Sequence, residues 1–207
     1  MNNTDILYDM HNYGASLNSR QIFLHNSYMG EGDVNPGVEY RMANTFLKNI
    51  NILDNKSHDS ITVHMHSIGG EWSDGMAIFD AIAMCKSFVT IIVYGQAESM
   101  SSIILQAADE RIMTPNSYFM PHYGSSDASG EYQNVQNWIK FEKHICNIMF
   151  DIYSRRCYKG KYFKEKYGIS KDSIPKVNAW LKRKLKDGDW YMPAQDAVYY
   201  GFADKVL

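Results

Sequence analysis

The sequence predicts an α/β fold on a mostly parallel sheet, and three observations carry that reading. Short apolar, β-branched runs alternate with segments of helical spacing from residue 21 to about residue 120. Glycine turns separate many of these runs. A long amphipathic stretch follows, and a last short helix and strand close the chain. Such alternation implies right-handed crossovers, which lay successive strands parallel.

Residues 1–20 are polar, show no sustained periodicity and read as a loosely held arm. Gln21-Ile22-Phe23-Leu24 reads as the first strand. Gly30-Glu31-Gly32-Asp33 and Asn35-Pro36-Gly37 are loop chemistry. Met42, Ala43, Phe46, Leu47 and Ile50 predict a helix over 39–52. Residues 61–66 alternate as a strand does, and Ser67-Ile68-Gly69-Gly70 is a turn. A helix over 74–86 puts Met76, Phe79, Ile82 and Ala83 on one face. Residues 88–94 form a buried strand that Gly95 breaks, before a helix over 99–108 and short strands at 111–113 and 118–120.

Residues 124–130 are a small-residue loop. Val135, Trp138, Ile139, Ile145, Met149 and Ile152 then mark a long amphipathic helix over about 131–155. Residues 155–186 carry twelve Lys or Arg against Glu165 and Asp172. Residues 193–207 hold a short helix ending near Gly201 and a small strand. No internal repeat is visible, and the expectation is one domain over 1–207.

Composition narrows the function classes. At 207 residues, 45% hydrophobic and 21% charged, the chain has the material for a proper core, which excludes disorder as the dominant state. A net charge of −2 supplies no global field for nucleic acid or an anionic membrane. Cys85, Cys146 and Cys157 are an odd set without C-x-x-C spacing, unlike a disulfide framework or zinc ribbon. Neither a signal peptide nor a spanning apolar run of about 18 residues is present, so a cytoplasmic chain is expected.

Gly95-Gln96-Ala97-Glu98-Ser99-Met100 places a serine where a buried strand turns into a helix. This is the carboxyl edge of a parallel sheet, where α/β proteins build their sites. Ser99 suits a nucleophile there, and it equally suits a helix N-cap. Gly69-Gly70 allows close backbone approach and unobstructed N–H groups, although many strand–helix turns carry glycine. A nucleophilic serine needs a base with an orienting partner. His122 lies at a strand end beside glycine-rich loop, and Asp189 precedes Trp190-Tyr191-Met192. Spacing alone does not bring these groups together.

The ordered motifs are specific as a set. Ser67-Ile68-Gly69-Gly70 resembles the SPGG turn of the ClpP family of self-compartmentalising serine peptidases, and Gly75-Met76-Ala77-Ile78-Phe79-Asp80 resembles its GMAIYD helix. The Ser99 segment resembles GQAASM, residues 105–116 the stretch ending in LPN, and Asp187-Gly188-Asp189-Trp190-Tyr191-Met192 the DRDFFM motif. Residues 194–206 resemble the SAEEAxEYGLIDKV ending. The likeness spans about 20–150 and 187–207.

The resemblance implies a ClpP/crotonase-type fold with the long helix as a handle between rings. It implies Ser99 as nucleophile, His122 as general base and then acid, Asp189 as its orienting carboxylate, and the N–H groups of Gly70 and Met100 as the oxyanion hole. It further implies peptide-bond hydrolysis without cofactor or metal, heptameric rings stacked as a tetradecamer, and an AAA+ unfoldase as a possible partner.

The chain departs from the family pattern in several places. Glu98 stands where the family has alanine, a carboxylate that would raise the His122 pKa if it faced inward. Ile68 replaces proline, Pro121-His122-Tyr123 lacks the following Gln-Pro, and Gly188 replaces an arginine. A basic segment at about 158–182 lengthens the path from His122 to Asp189. Its Lys159, Lys161, Lys164 and Lys166 interleave with Tyr158, Tyr162, Phe163 and Tyr167. That pattern is either a nucleic-acid grip or, the favoured reading, a solvated face whose aromatics pack on the body. His64 and His66 pair on one strand face without an evident third metal ligand, and Cys85 is expected to be inertly buried. Competing functions are a ring scaffold whose triad the insertion misaligns and a crotonase-type acyl-CoA enzyme, and a phage-type maturation peptidase is a narrower variant of the peptidase reading.

Overall fold

The computed structural model of the chain describes residues 3–24 and 37–207. The turn motifs at residues 30–36 lie outside the described residues. The N-terminal residues expected to be a loose arm form helix α1 (Asn3–Tyr13) and strand β1 (Ala15–Ser16), which pairs antiparallel with β2 (Gln21–Leu24). Leu7, Tyr8 and Tyr13 of α1 stay exposed, so no apolar stripe announces this helix in the sequence.

Helix α2 (Tyr40–Lys56) begins where the Glu39 carboxylate accepts the N–H groups of Arg41 and Met42, and it buries Met42, Ala43, Phe46, Ile50 and Leu53. Strand β3 (Ile61–Ser67) buries Ile61, Val63, Met65 and Ser67 in alternation. Helix α3 (Trp72–Ala83) starts and ends earlier than its sequence pattern, and its buried positions are Gly75, Ile78 and Ile82. Met76 and Phe79, expected on the inner face, are only partly buried. Ala83, expected on the same face, is exposed, while Gly75 lets the Met100 side chain lie against the α3 backbone where any Cβ would collide.

Strand β4 (Val89–Glu98) corrects the expectation that Gly95 ends the strand. The strand continues for ten residues, and Gly95 at φ 63° bends it instead. The register with β3 shifts there, from Met65 opposite Val93 to Ser67 opposite Ala97. A side chain at Gly95 would collide with the His66 ring, 2.6 Å from the position of its Cβ. The bend lets β4 pair with two strands in succession. Thr90–Val93 pairs with β5 (Glu110–Met113), and Gln96–Glu98 with β6 (Tyr118–Met120). Between β4 and β5, helix α4 (Met100–Ile104) tightens into a 3₁₀ turn at Leu105–Ala107.

Helix α5 (Tyr132–Cys157) has 26 residues, and its buried positions are confined to Ile145 and beyond. Its first half presents Tyr132, Trp138, Ile139 and Phe141 to solvent. The basic segment forms α6 (Lys161–Tyr167) and α7 (Ile174–Lys184). Phe163, Val177 and Leu181 are fully buried, Tyr162 packs on Phe163, Trp180 and Tyr200, and Lys166 folds over the Tyr162 and Trp180 rings. The rings that a nucleic-acid grip would need are thus occupied by the core. Strand β7 (Met192–Pro193), helix α8 (Ala194–Tyr200) and strand β8 (Lys205–Val206) finish the chain, with Gly201 ending α8 in the left-handed conformation.

The sheet runs β1-β2-β3-β4-β5-β8, with β6 and β7 continuing from the upper half of β4. Every pairing is parallel except β1–β2 and β6–β7. No helix among the described residues is long and apolar enough to cross a membrane. His64 bonds Tyr94 and Gln21 through its ring nitrogens, and no group of three metal-ligating side chains occurs among the described residues. Cys85 is half-buried just beyond α3 rather than buried within it. The helix ends at Ala83, which leaves the thiol beside Asp54.

Candidate active site

Ser99 follows the last residue of β4 and has φ 49° and ψ −123°, a conformation that L-residues with a side chain rarely adopt. Such a turn is strained, and it lifts the side chain out of the line of both strand and helix. Two groups fix it: the Ser99 N–H donates to the Met120 carbonyl at 2.8 Å, and the Ser99 carbonyl accepts the Ser102 N–H at 3.0 Å. The cap reading fails here, because the Ser99 side chain makes no capping bond to α4. Its Oγ faces His122 Nε2 at 2.8 Å instead.

His122 lies two residues beyond β6, and its other ring nitrogen, Nδ1, is 3.2 Å from Asp189 Oδ1. A carboxylate only accepts, so Nδ1 is the nitrogen placed to donate to Asp189, which leaves Nε2 to accept from the Ser99 hydroxyl. Asp189 is 67 positions away in sequence. It is delivered by the antiparallel β6–β7 pair, Phe119 opposite Met192, and by the Trp190 N–H donating to the Pro121 carbonyl at 3.3 Å. Tyr123 is held behind the histidine by its hydroxyl bond to the Lys182 carbonyl and its ring contact with Phe150. The basic segment therefore buttresses this loop.

The glycine turn faces the serine. Gly70 forms a parallel bridge with Val38 that uses the Gly69 carbonyl and the Glu71 N–H. Gly70, at φ 148°, lines the cleft together with Ser99 and Met100, and its N–H takes no part in the bonds to Val38. Met100 opens α4, where a helix leaves its first N–H groups without internal acceptors. Gly69 has φ 90°, and a Cβ there would sit 2.6 Å from the Ser99 Cβ. No other residue permits this approach.

A cleft of ≈ 570 Å³ opens beside Ser99 and His122. Ile103, Ile145 and Met149 form its buried apolar floor, and Trp138 and Phe141 of α5 stand at its edge. Among the described residues, Glu71, Asp127 and Glu142 are its carboxylates, and no Lys or Arg lines it. Glu98 does not appear in that lining. It sits by Tyr118, whose hydroxyl donates to Gln96 Oε1 at 2.6 Å and whose pKa is pushed up to about 12, chiefly by the neighbouring Glu98 carboxylate and by burial. Gly70, Ser99, Met100 and His122 line this cleft, and Asp189 stands outside it, in contact with His122 Nδ1. The cleft walls and the buried hydroxyls behind Ser99 had no motif to mark them. Polar Ser101 and Ser102 in a wholly buried helix were the available signal.

The fold and the site define an α/β protein with a serine–histidine–aspartate array at the carboxyl edge of its sheet. The Clp protease family model matches residues 10–207, and the chain belongs to that family. It is similar to the ATP-dependent Clp protease proteolytic subunit of Deinococcus radiodurans, 28% identical over 82% of this chain and 76% of that protein. The subunit of the same name from Carsonella ruddii is 28% identical over 94% and 87% respectively. Proteolytic subunit 2 of Pseudomonas aeruginosa is 29% identical over 84% and 79%.

Proposed function

We propose that the chain is a serine endopeptidase, the proteolytic subunit of an ATP-dependent Clp-type protease, with Ser99, His122 and Asp189 as its catalytic residues. The observation that carries the assignment is the 2.8 Å contact between His122 Nε2 and a Ser99 Oγ presented on a strained turn. His122 removes the Ser99 proton as Oγ attacks the scissile carbonyl, and Asp189 stabilises the imidazolium that forms. The Gly70 and Met100 N–H groups receive the developing oxyanion, an interaction typically worth about 2.7–4 kcal/mol per donor in such enzymes. His122 then returns the proton to the leaving amine. Water repeats the sequence on the acyl-enzyme and frees Ser99. No step calls on a cofactor.

Unfolded chains and short peptides are the substrate class, a reading supported by relatives named as proteolytic subunits of an ATP-dependent protease. The exposed aromatic half of α5 supports its role as the handle between two rings, and the family precedent is heptamers stacked as a tetradecamer. An AAA+ unfoldase would supply ATP-driven unfolding, and the working location is the cytoplasm. The peptidase domain takes in residues 1–207, with α6 and α7 as its insertion. Hydrolysis of a fluorogenic peptide by the assembled protein, abolished in Ser99→Ala, tests the activity. Sedimentation velocity tests the assembly.

A further inference from the structure

Two hydroxyl groups with no part in the reaction stand behind Ser99. Ser102 is fully buried, and its Oγ lies 2.5 Å from the Ser99 carbonyl oxygen and 2.6 Å from the Tyr153 hydroxyl. A serine hydroxyl carries one proton, and a carbonyl can only accept. The Ser102 proton therefore goes to Ser99, and the Tyr153 O–H donates to Ser102 Oγ. The result is a one-way chain from Tyr153 through Ser102 to the Ser99 carbonyl, buried along its length, where such bonds polarise one another. Burial also drives the Tyr153 phenol well above its ordinary value, so it remains a donor.

The Ser99 carbonyl and the Met100 N–H belong to one planar peptide unit and point in opposite directions. Whatever fixes the carbonyl therefore aims the N–H. We propose that Ser102 and Tyr153 are positioning residues, which pin the Ser99 carbonyl to the long helix α5 and thereby hold the Met100 N–H towards the oxyanion. Neither touches substrate. A second buried hydroxyl contact braces the opposite wall: Ser101 Oγ donates to Ser67 Oγ at 2.7 Å, and Ser67 Oγ accepts the Gly69 N–H at 3.3 Å.

The inference rests on Ser99 being the nucleophile, and its test separates the two. Tyr153→Phe removes one hydroxyl and keeps the ring. Turnover of a fluorogenic peptide, counted per site titrated with a fluorophosphonate, is expected to fall about tenfold, the rate equivalent of one neutral hydrogen bond, with KM unchanged. Ser102→Ala should give a similar or larger loss. The double variant should be no worse than Ser102→Ala, because Tyr153 acts through Ser102. A structural role alone would reduce the number of titrated sites and leave turnover per site intact, and that result would overturn the proposal. So would multiplicative losses in the double variant. Hydrogen exchange of the segment over 99–106 gives a readout without activity: faster exchange in Tyr153→Phe supports the brace, and unchanged exchange overturns it. A wild-type protein that neither labels nor hydrolyses peptide would remove the role given to Ser99, with exchange still deciding the brace.

Discussion

His122 stands 2.8 Å from Ser99 because β4 and β6 pair in parallel with Glu98 opposite Met120. The strands end at one level, and the Ser99 N–H closes the ladder onto the Met120 carbonyl. The contact is thus set by sheet register, a stiffer constraint than a loop, and the elements around it can be tested one at a time.

Asp189 is half-exposed and contributes through one bond, at 3.2 Å, to His122 Nδ1. Asp189→Asn keeps the shape and removes the charge that fixes the tautomer. Peptide turnover should drop by about 10⁴-fold, the scale seen when such a carboxylate is neutralised, while the melting temperature changes little. Steady-state kinetics and a thermal melt check both parts.

Gly69→Ala should be more damaging than its size implies. The new Cβ would press on the Ser99 Cβ and, at 2.7 Å, on the Met100 nitrogen, at a φ that disfavours alanine. The expected outcome is loss of fluorophosphonate titration together with a lower melting temperature. Gly124→Ala, where a Cβ meets open space, is the control for a positive-φ glycine away from the turn.

Acid should destabilise the protein through identifiable carboxylates. Burial alone would raise the pKa of Asp54, but bonds from Ser87 and Lys86 outweigh it and hold the group well below its ordinary 3.8. Burial of Asp204 is likewise outweighed by hydrogen bonds from Arg111. A depressed carboxylate stabilises the fold fully above its unfolded pKa, and that stabilisation is lost as pH falls through the folded value. Melting temperatures should therefore decline below about pH 4. Asp54→Asn should melt about 3–6 °C lower at neutral pH and lose less on acidification.

Glu142 faces the cleft from α5 with no Lys or Arg in the same lining among the described residues. Glu142→Gln should lower kcat/KM for a peptide with lysine before the scissile bond by about two- to fivefold relative to leucine, the scale of a partly exposed charge interaction. Paired peptides of otherwise equal sequence read this ratio.

Much of this architecture is legible in the chain. The alternation of Ile61, Val63 and Met65, the helical spacing of Met42 to Ile50, and the capping Gly201 each report local physics. Gly95 was not legible as a bend, because the same residue ends a strand or kinks it according to the His66 ring beside it. Helix α1 lacks a buried stripe, and strands of two residues, such as β7, have no pattern to read. Ser99, His122 and Asp189 carried their chemistry in their residue types. Their meeting depends on β6 pairing with β4 and β7, which spacing does not encode and the ordered motifs did.

The most direct test of the account is fluorophosphonate labelling of the assembled protein, with intact mass and peptide mapping, in wild type, Ser99→Ala and His122→Ala. One adduct per chain is expected on Ser99, absent in Ser99→Ala and strongly slowed in His122→Ala. A folded wild-type protein without adduct, or an adduct on Ser99 indifferent to His122, would contradict it.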